Sequence, residues 1–202
     1  MLRSMLVLAC AAALAACGRS LPAPAPASPQ DEFWASLRRL CGNAYAGRLV
    51  EGSQADSAFR QNALVMHVRQ CPDGEVRIPF HVGRDRSRTW IVTRTGAGLR
   101  LKHDHRHEDG SEDRVTQYGG DTRSAGTAAR QEFYADTYTA ALIPAAATNV
   151  WTMEVVPGQH FVYALRREGT DRRVRVEFDL TRTVPPPPAP WWPGTIPPVA
   201  RR

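Results

Sequence analysis

No stretch of this 202-residue chain is long enough to cross a bilayer as a helix. A span needs about 20 apolar residues, and the longest apolar run, residues 5–16, falls well short. There is no G-x-S-x-G elbow, no phosphate-cradling glycine loop and no H-E-x-x-H, which removes the best-marked hydrolase, nucleotide and metalloprotease chemistries. No basic run carries interleaved aromatics, so the formal charge of +6 does not read as a nucleic-acid footprint. Cysteine is scarce, at four residues. No internal repeat is evident.

What is present begins with an address. Arg3 precedes the apolar run, the layout of an export signal. The run ends in "LAAC", residues 14–17. This resembles the lipobox of bacterial lipoproteins, and the resemblance implies cleavage after residue 16 and a diacylglycerol thioether on Cys17. With Gly18 rather than Asp after that cysteine, it implies the outer membrane, facing the periplasm. An ordinary signal peptide cut near Ala16, or an uncleaved one, is the alternative. "GRSLPAPAPA" follows, and alternating proline with small residues makes residues 17–27 a semi-extended tether. Removal of Arg3 with the signal lowers the charge by one, to +5. Such a basic surface suits a neighbourhood of anionic lipid or lipopolysaccharide.

Cys10 leaves with the signal and Cys17 takes the lipid. Cys41 and Cys71 remain as an even pair in an oxidising compartment, where a disulfide is expected. Two buried thiols are the alternative.

Residues 28–183 read as one domain, a common size for a single core. Ser28 is a good N-cap, Pro29 fits the first helical position, and Asp31 stands where a capping box needs its acceptor. Phe33, Leu37 and Leu40 recur at helical spacing up to Gly42, giving one short amphipathic helix. The rest alternates. Leu64, Met66 and Val68 face Val82, Phe80 and Ile78 around a Pro72-Asp73-Gly74 loop, with Gly74 in the left-handed position. His67 and His81 then point away from the core, as surface or rim residues. Around Pro157-Gly158-Gln159, Val155 pairs with Phe161, Met153 with Tyr163 and Trp151 with Leu165. The next strand puts Val176 against Tyr163 and Phe178 against Phe161. Further strands are expected at residues 45–50, 89–95 and 131–136.

Eight to ten antiparallel strands in sequence, with one apolar face, predict an up-and-down meander curled into a barrel, which also removes its edges. This architecture resembles the calycin-type barrels, lipocalins and similar ligand-binding cups. The chain also looks like exported bacterial envelope proteins, a likeness that supplies no activity. A β-sandwich is the alternative fold. Residues 184–202, "VPPPPAPWWPGTIPPVARR", can join neither ladder nor helix through the proline run. Trp191 and Trp192 there either fold back on the domain, meet the membrane interface, or serve a partner.

The candidate site is "LRLKHDHRHEDG", residues 99–110. Parity puts Arg100, Lys102, Asp104, Arg106 and Glu108 on the solvent face. Leu99, Leu101, His103, His105 and His107 take the other face, extending the apolar lining toward one mouth of the barrel. Three histidines suggest zinc or copper, but i and i+4 on a strand lie about 13 Å apart, while zinc–nitrogen distances are about 2.0–2.1 Å. Only two neighbouring histidines at a time could clamp an ion, with help from elsewhere. A Glu108-Asp109-Gly110 loop pairs Arg106 with Glu112, Asp104 with Arg114 and His105 with Asp113, where Asp113 could orient His105. A two-residue Asp109-Gly110 loop gives Arg106 against Asp113 instead, and Leu101 against Tyr118. "HEDGSED" resembles a calcium loop, but histidine stands where carboxylates are required.

Three readings of the site remain open: histidines hydrogen-bonded to Asp and Glu with no ligand, a metal site, or a polar pocket for an organic ligand or haem. The function expected first is a lipid-anchored envelope binding protein, holding a small molecule or metal at a His-lined mouth. The second is a structural or envelope-interaction lipoprotein with a filled core and an unknown protein partner. The third is a metal-dependent enzyme; a hydrolase using His103 or His105 with Asp113 has no named nucleophile.

Overall fold

The caps at the N-terminal end do what their sequence prescribes. In the computed structural model, which describes residues 26–191, helix α1 runs Pro29–Arg38. Ser28 accepts the Asp31 N–H, and the Asp31 carboxylate accepts the Ser28 N–H in return. The Ser28 hydroxyl, and next the paired Arg94, hold the Asp31 carboxyl down at about 2. Phe33, Trp34 and Leu37 are buried from the inner side of α1.

Ten strands follow: β1 Ala44–Glu51, β2 Leu64–His67, β3 Glu75–Val82, β4 Asp85–Thr95, β5 Gly98–His105, β6 Tyr118–Thr122, β7 Arg130–Ala135, β8 Asn149–Val156, β9 His160–Arg167 and β10 Arg173–Asp179. Each pairs antiparallel with the next, and β10 returns to β1, so the sheet is a closed up-and-down barrel and not a sandwich. Two helices beyond the one expected stand in loops, α2 Ser57–Gln61 and α3 Thr137–Leu142. Asp136 nucleates α3 by accepting the Thr139 N–H.

The hairpin registers hold where turn chemistry and parity agree. Leu64 pairs with Val82 and Met66 with Phe80, and Gly74 has φ 76°. Val68 does not continue that ladder opposite Ile78. It exchanges backbone hydrogen bonds with Gly42 and Asn43, and the next bridge, Gln70 to Arg77, is one residue out of step. Beside that slip, Cys41 and Cys71 form the disulfide. Across β8, β9 and β10 every expected pair is present, Val155–Phe161 through Phe161–Phe178. Their inner side chains build an aromatic core in which Trp90 stacks on Phe80 at 4.8 Å and on Tyr163 at 4.3 Å.

The two barrel ends differ. α1 lies across one of them: Gln30 bonds Thr122 at the end of β6, Arg38 bonds Pro72 in the β2–β3 turn, and Asp31 pairs with Arg94 near the end of β4. The other end is open. Along the outside, the chain after β10 runs from Val184, bridged to Ala44, to Trp191, whose N–H donates to the Arg86 carbonyl. Arg86 in turn donates to the Ala189 carbonyl at 3.2 Å. Trp191 therefore folds back on the domain. The signal, Cys17 and most of the tether, and Trp192 onward, lie outside the described residues.

The expectation that His67 and His81 are surface or rim residues is corrected by their burial. Both face away from the lumen, yet they are only 3% and 4% exposed. His81 lines a cleft closed on its far side by Pro187, Pro188 and Trp191. An outward strand position is not the same as a solvated one, and at His81 the proline segment stands over it.

Candidate functional site

Strand β5 carries its histidines from the core to the rim, and the three end in different places. His103 is buried at 2% exposure, His105 is half-buried, and His107 is exposed beyond the end of the strand. The inner face extends through His103 and His105 only. His107 does not follow because the ladder gives way to a turn, in which its N–H meets the Ser111 carbonyl at 2.9 Å.

The outer face also departs from expectation. Asp104 is fully buried, not solvated. It accepts from Arg106 Nε at 3.1 Å and from Gln117 Nε2 at 2.6 Å. The reason is the segment between the β5 turn and β6. Arg106 pairs with Glu112, as the three-residue turn requires, but the strand then breaks up. Gln117 takes a left-handed φ of 57°, and pairing resumes as His103–Tyr118, in neither expected register. Asp104 therefore meets Gln117 and not Arg114.

His103 uses both ring nitrogens. Its Nδ1–H donates to the Tyr118 carbonyl at 3.1 Å, leaving Nε2 to accept the Tyr163 hydroxyl at 2.8 Å. Burial, and next the neighbouring His105, push its pKa down to about 3, so the ring is neutral. His105 Nε2 meets the Tyr118 hydroxyl at 3.1 Å, while its Nδ1 has no partner among the described residues. Burial, and next the nearby Arg88 guanidinium, push His105 to about 4. Burial raises the Tyr118 phenol to about 12 and the Tyr163 phenol well above its ordinary value. At neutral pH the four groups form an uncharged hydrogen-bonding wall.

Asp113 reaches His105 through the backbone, its N–H donating to the His105 carbonyl at 3.0 Å. Its carboxylate accepts the Val115 N–H at 2.7 Å and, from that position, opposes the downward shift of His105. Among the described residues, no group of three or more His, Cys, Asp or Glu side chains could hold one metal ion. An ion at His103 Nε2 would first have to displace the Tyr163 hydroxyl.

These residues line a cavity of about 340 Å3 at the open end of the barrel. Trp90, Trp151, Tyr118 and Tyr163 supply its aromatic lining, Phe59 of α2 and Ile143 after α3 overhang it, and Arg88, Arg167 and Arg172 stand around it. Two of the three guanidiniums are neutralised: Arg88 pairs with Asp85, and Arg172 makes a two-pronged pair with Asp56 at 2.5 and 2.7 Å. Arg167 bonds only the Asn149 side chain here, Nε to Oδ1 at 2.9 Å. Arg88, Asn149 and Arg167 were missed from sequence, although the rule that located His103 applies to them. Each continues an inward apolar row at a strand end: Arg88 before Trp90, Asn149 before Trp151, Arg167 after Leu165.

A closed antiparallel barrel with a helix across one end and a polar-aromatic cavity at the other is a calycin-like architecture. Comparison of the chain with protein-family models, curated proteins and solved structures finds no match.

Proposed function

We propose that this is a lipid-anchored binding protein of the bacterial cell envelope, on the outer membrane and facing the periplasm, which holds a small organic molecule in the barrel mouth. The observation that carries the reading is the cavity of about 340 Å3, open to one side and lined by aromatic rings and neutral imidazoles. A cavity of that size, mostly apolar with a few convergent polar groups, is the usual form of a small-molecule site. His105 Nδ1 gives it a hydrogen-bonding group that the protein leaves unused. The lipobox and the proline tether supply the anchor. The tether joins at α1, across the barrel from the mouth, so an anchored chain takes its ligand from the aqueous side.

The test has two arms. Native mass spectrometry of the protein isolated from its own envelope should show a bound species of small-molecule mass, lost on denaturation. Fractionation should place the chain with the membranes and a Cys17→Ser variant in the soluble fraction. Ligand-free protein that also takes up no member of a small-molecule library would overturn the binding reading. A wild-type chain found in the soluble fraction would overturn the anchor.

A further inference from the structure

Arg167 and Asn149 face each other across the β8–β9 pair, two residues toward the mouth from the apolar rung of Trp151 with Leu165. Arg167 Nε–H donates to Asn149 Oδ1 at 2.9 Å, which turns the Asn149 Nδ2 donors the other way. Asn149 is only 5% exposed and lines the cavity, yet Nδ2 has no acceptor among the described residues. The outer nitrogens of Arg167 have none either. This corner of the mouth therefore offers donors alone, and it contains the one lining guanidinium without a carboxylate partner among the described residues. Neither Asn149 Nδ2 nor the outer nitrogens of Arg167 are among the fully buried polar atoms left without a partner, so these donors face the cavity and are free to meet an acceptor that enters it.

We propose that the ligand is a planar aromatic monocarboxylate. Its carboxylate is held by the Arg167 fork and the Asn149 amide, and its ring system lies on the aromatic wall beside Trp151. The proposal rests on the binding reading above and narrows it. A guanidinium matches a carboxylate with two parallel hydrogen bonds. A phosphate dianion fits less well, since Asp113 and its carboxylate stand on the same mouth. Two residues along a strand rise about 7 Å, so a carboxylate at the Arg167 rung places a one- or two-ring system at the level of Trp151. Stacked and edge-on ring contacts then supply affinity, and the neutral His105 supplies one further hydrogen bond.

Calorimetric titration of the purified protein with 2-naphthoate, 2-naphthamide and decanoate tests this. Expected are one saturable site for naphthoate, at least tenfold weaker binding of the amide and the aliphatic acid, and loss of the acid-over-amide preference in Arg167→Gln. Partial recovery in Arg167→Lys is expected, with all variants melting at the wild-type temperature. Equal binding of acid and amide, or an unchanged preference in Arg167→Gln, overturns the carboxylate assignment and leaves the binding reading intact. Decanoate binding as tightly as naphthoate overturns the aromatic assignment in the same way. If none of the three binds and no other small molecule does, the binding reading itself fails.

Discussion

Tyr163 fixes the state of the deepest histidine. Its hydroxyl is the only donor that His103 Nε2 receives among the described residues, and both groups are buried. Tyr163→Phe keeps the ring and its stack on Trp90 but leaves a buried acceptor unmatched. Such an orphan costs roughly 1–3 kcal/mol, and urea unfolding should show that loss. An unchanged midpoint would mean that water reaches His103. A harsher case is Gly120, where an added Cβ would lie 1.6 Å from the Tyr134 carbonyl oxygen. The obstacle is the backbone of β7, which cannot turn aside as a side chain can. Gly120→Ala should therefore fail to give soluble folded protein, whereas Gly158→Ala, at an exposed turn with nothing within 4 Å but a φ of 69°, should fold with a modest loss. Equal melting temperatures for the two variants would refute the packing argument for β6.

Among elements, the disulfide and the tail act at places that can be tested apart from the mouth. Cys41–Cys71 ties the segment after α1 to the β2–β3 turn, at the closed end and 30 residues apart in sequence. A Cys41→Ser/Cys71→Ser double variant should lose about 2–4 kcal/mol with ligand binding at the far end unaltered. The tail is read best through His81, whose pKa is pushed to about 4 by burial first and next by His67. Ending the chain after Thr183 uncovers that ring, and its NMR titration should move up toward 6.5. A midpoint that stays near 4 would show that the strands alone bury it. These elements also show what sequence could and could not reveal. The hairpins of β8, β9 and β10 were readable because loop length and alternation admit one register that puts all apolar side chains on one face. The turn after β5 satisfied the same arithmetic for its first rung, Arg106 with Glu112. It then failed, because residues 113–117 leave the ladder and bury Asp104 beneath Gln117. Charge alternation marks a strand face as outward, but it does not say whether another segment covers that face. His81 and Asp104 are buried for that one reason. Arg167 and Asn149 are legible by parity, as continuations of the inward Leu165 and Trp151 rows.

At the scale of the whole molecule, the depressed histidines share one direction. His67, His81 and His105 are held at about 4 and His103 at about 3, all with burial as the first cause. In the unfolded chain each returns to about 6.5, so below that pH the unfolded state binds more protons than the folded one. Stability is then full above pH 6.5 and falls as the pH drops toward 4, with a further loss toward 3 from His103. Each unit of separation is worth about 1.4 kcal/mol, and the half-buried His105 contributes less than the other three because solvent screens it. The combined loss over the window is still several kcal/mol, comparable with the total stability of many domains. Asp31, held at about 2 by Ser28 and Arg94, gives up its contribution only at lower pH, whereas Glu132, lowered from 4.5, adds to the loss at the acid edge of the window. The expected outcome is a melting temperature that is level between pH 7 and 8 and declines steeply from pH 6.5 to 4.5, with folded-state imidazole resonances still neutral at pH 5. Calorimetric unfolding at pH 5 in two buffers of different ionisation enthalpy should show net proton uptake approaching one per depressed histidine. A melting temperature that holds level down to pH 4.5 would mean the four rings are not buried neutral, and both the strap over His81 and the uncharged wall of the mouth would fall with them.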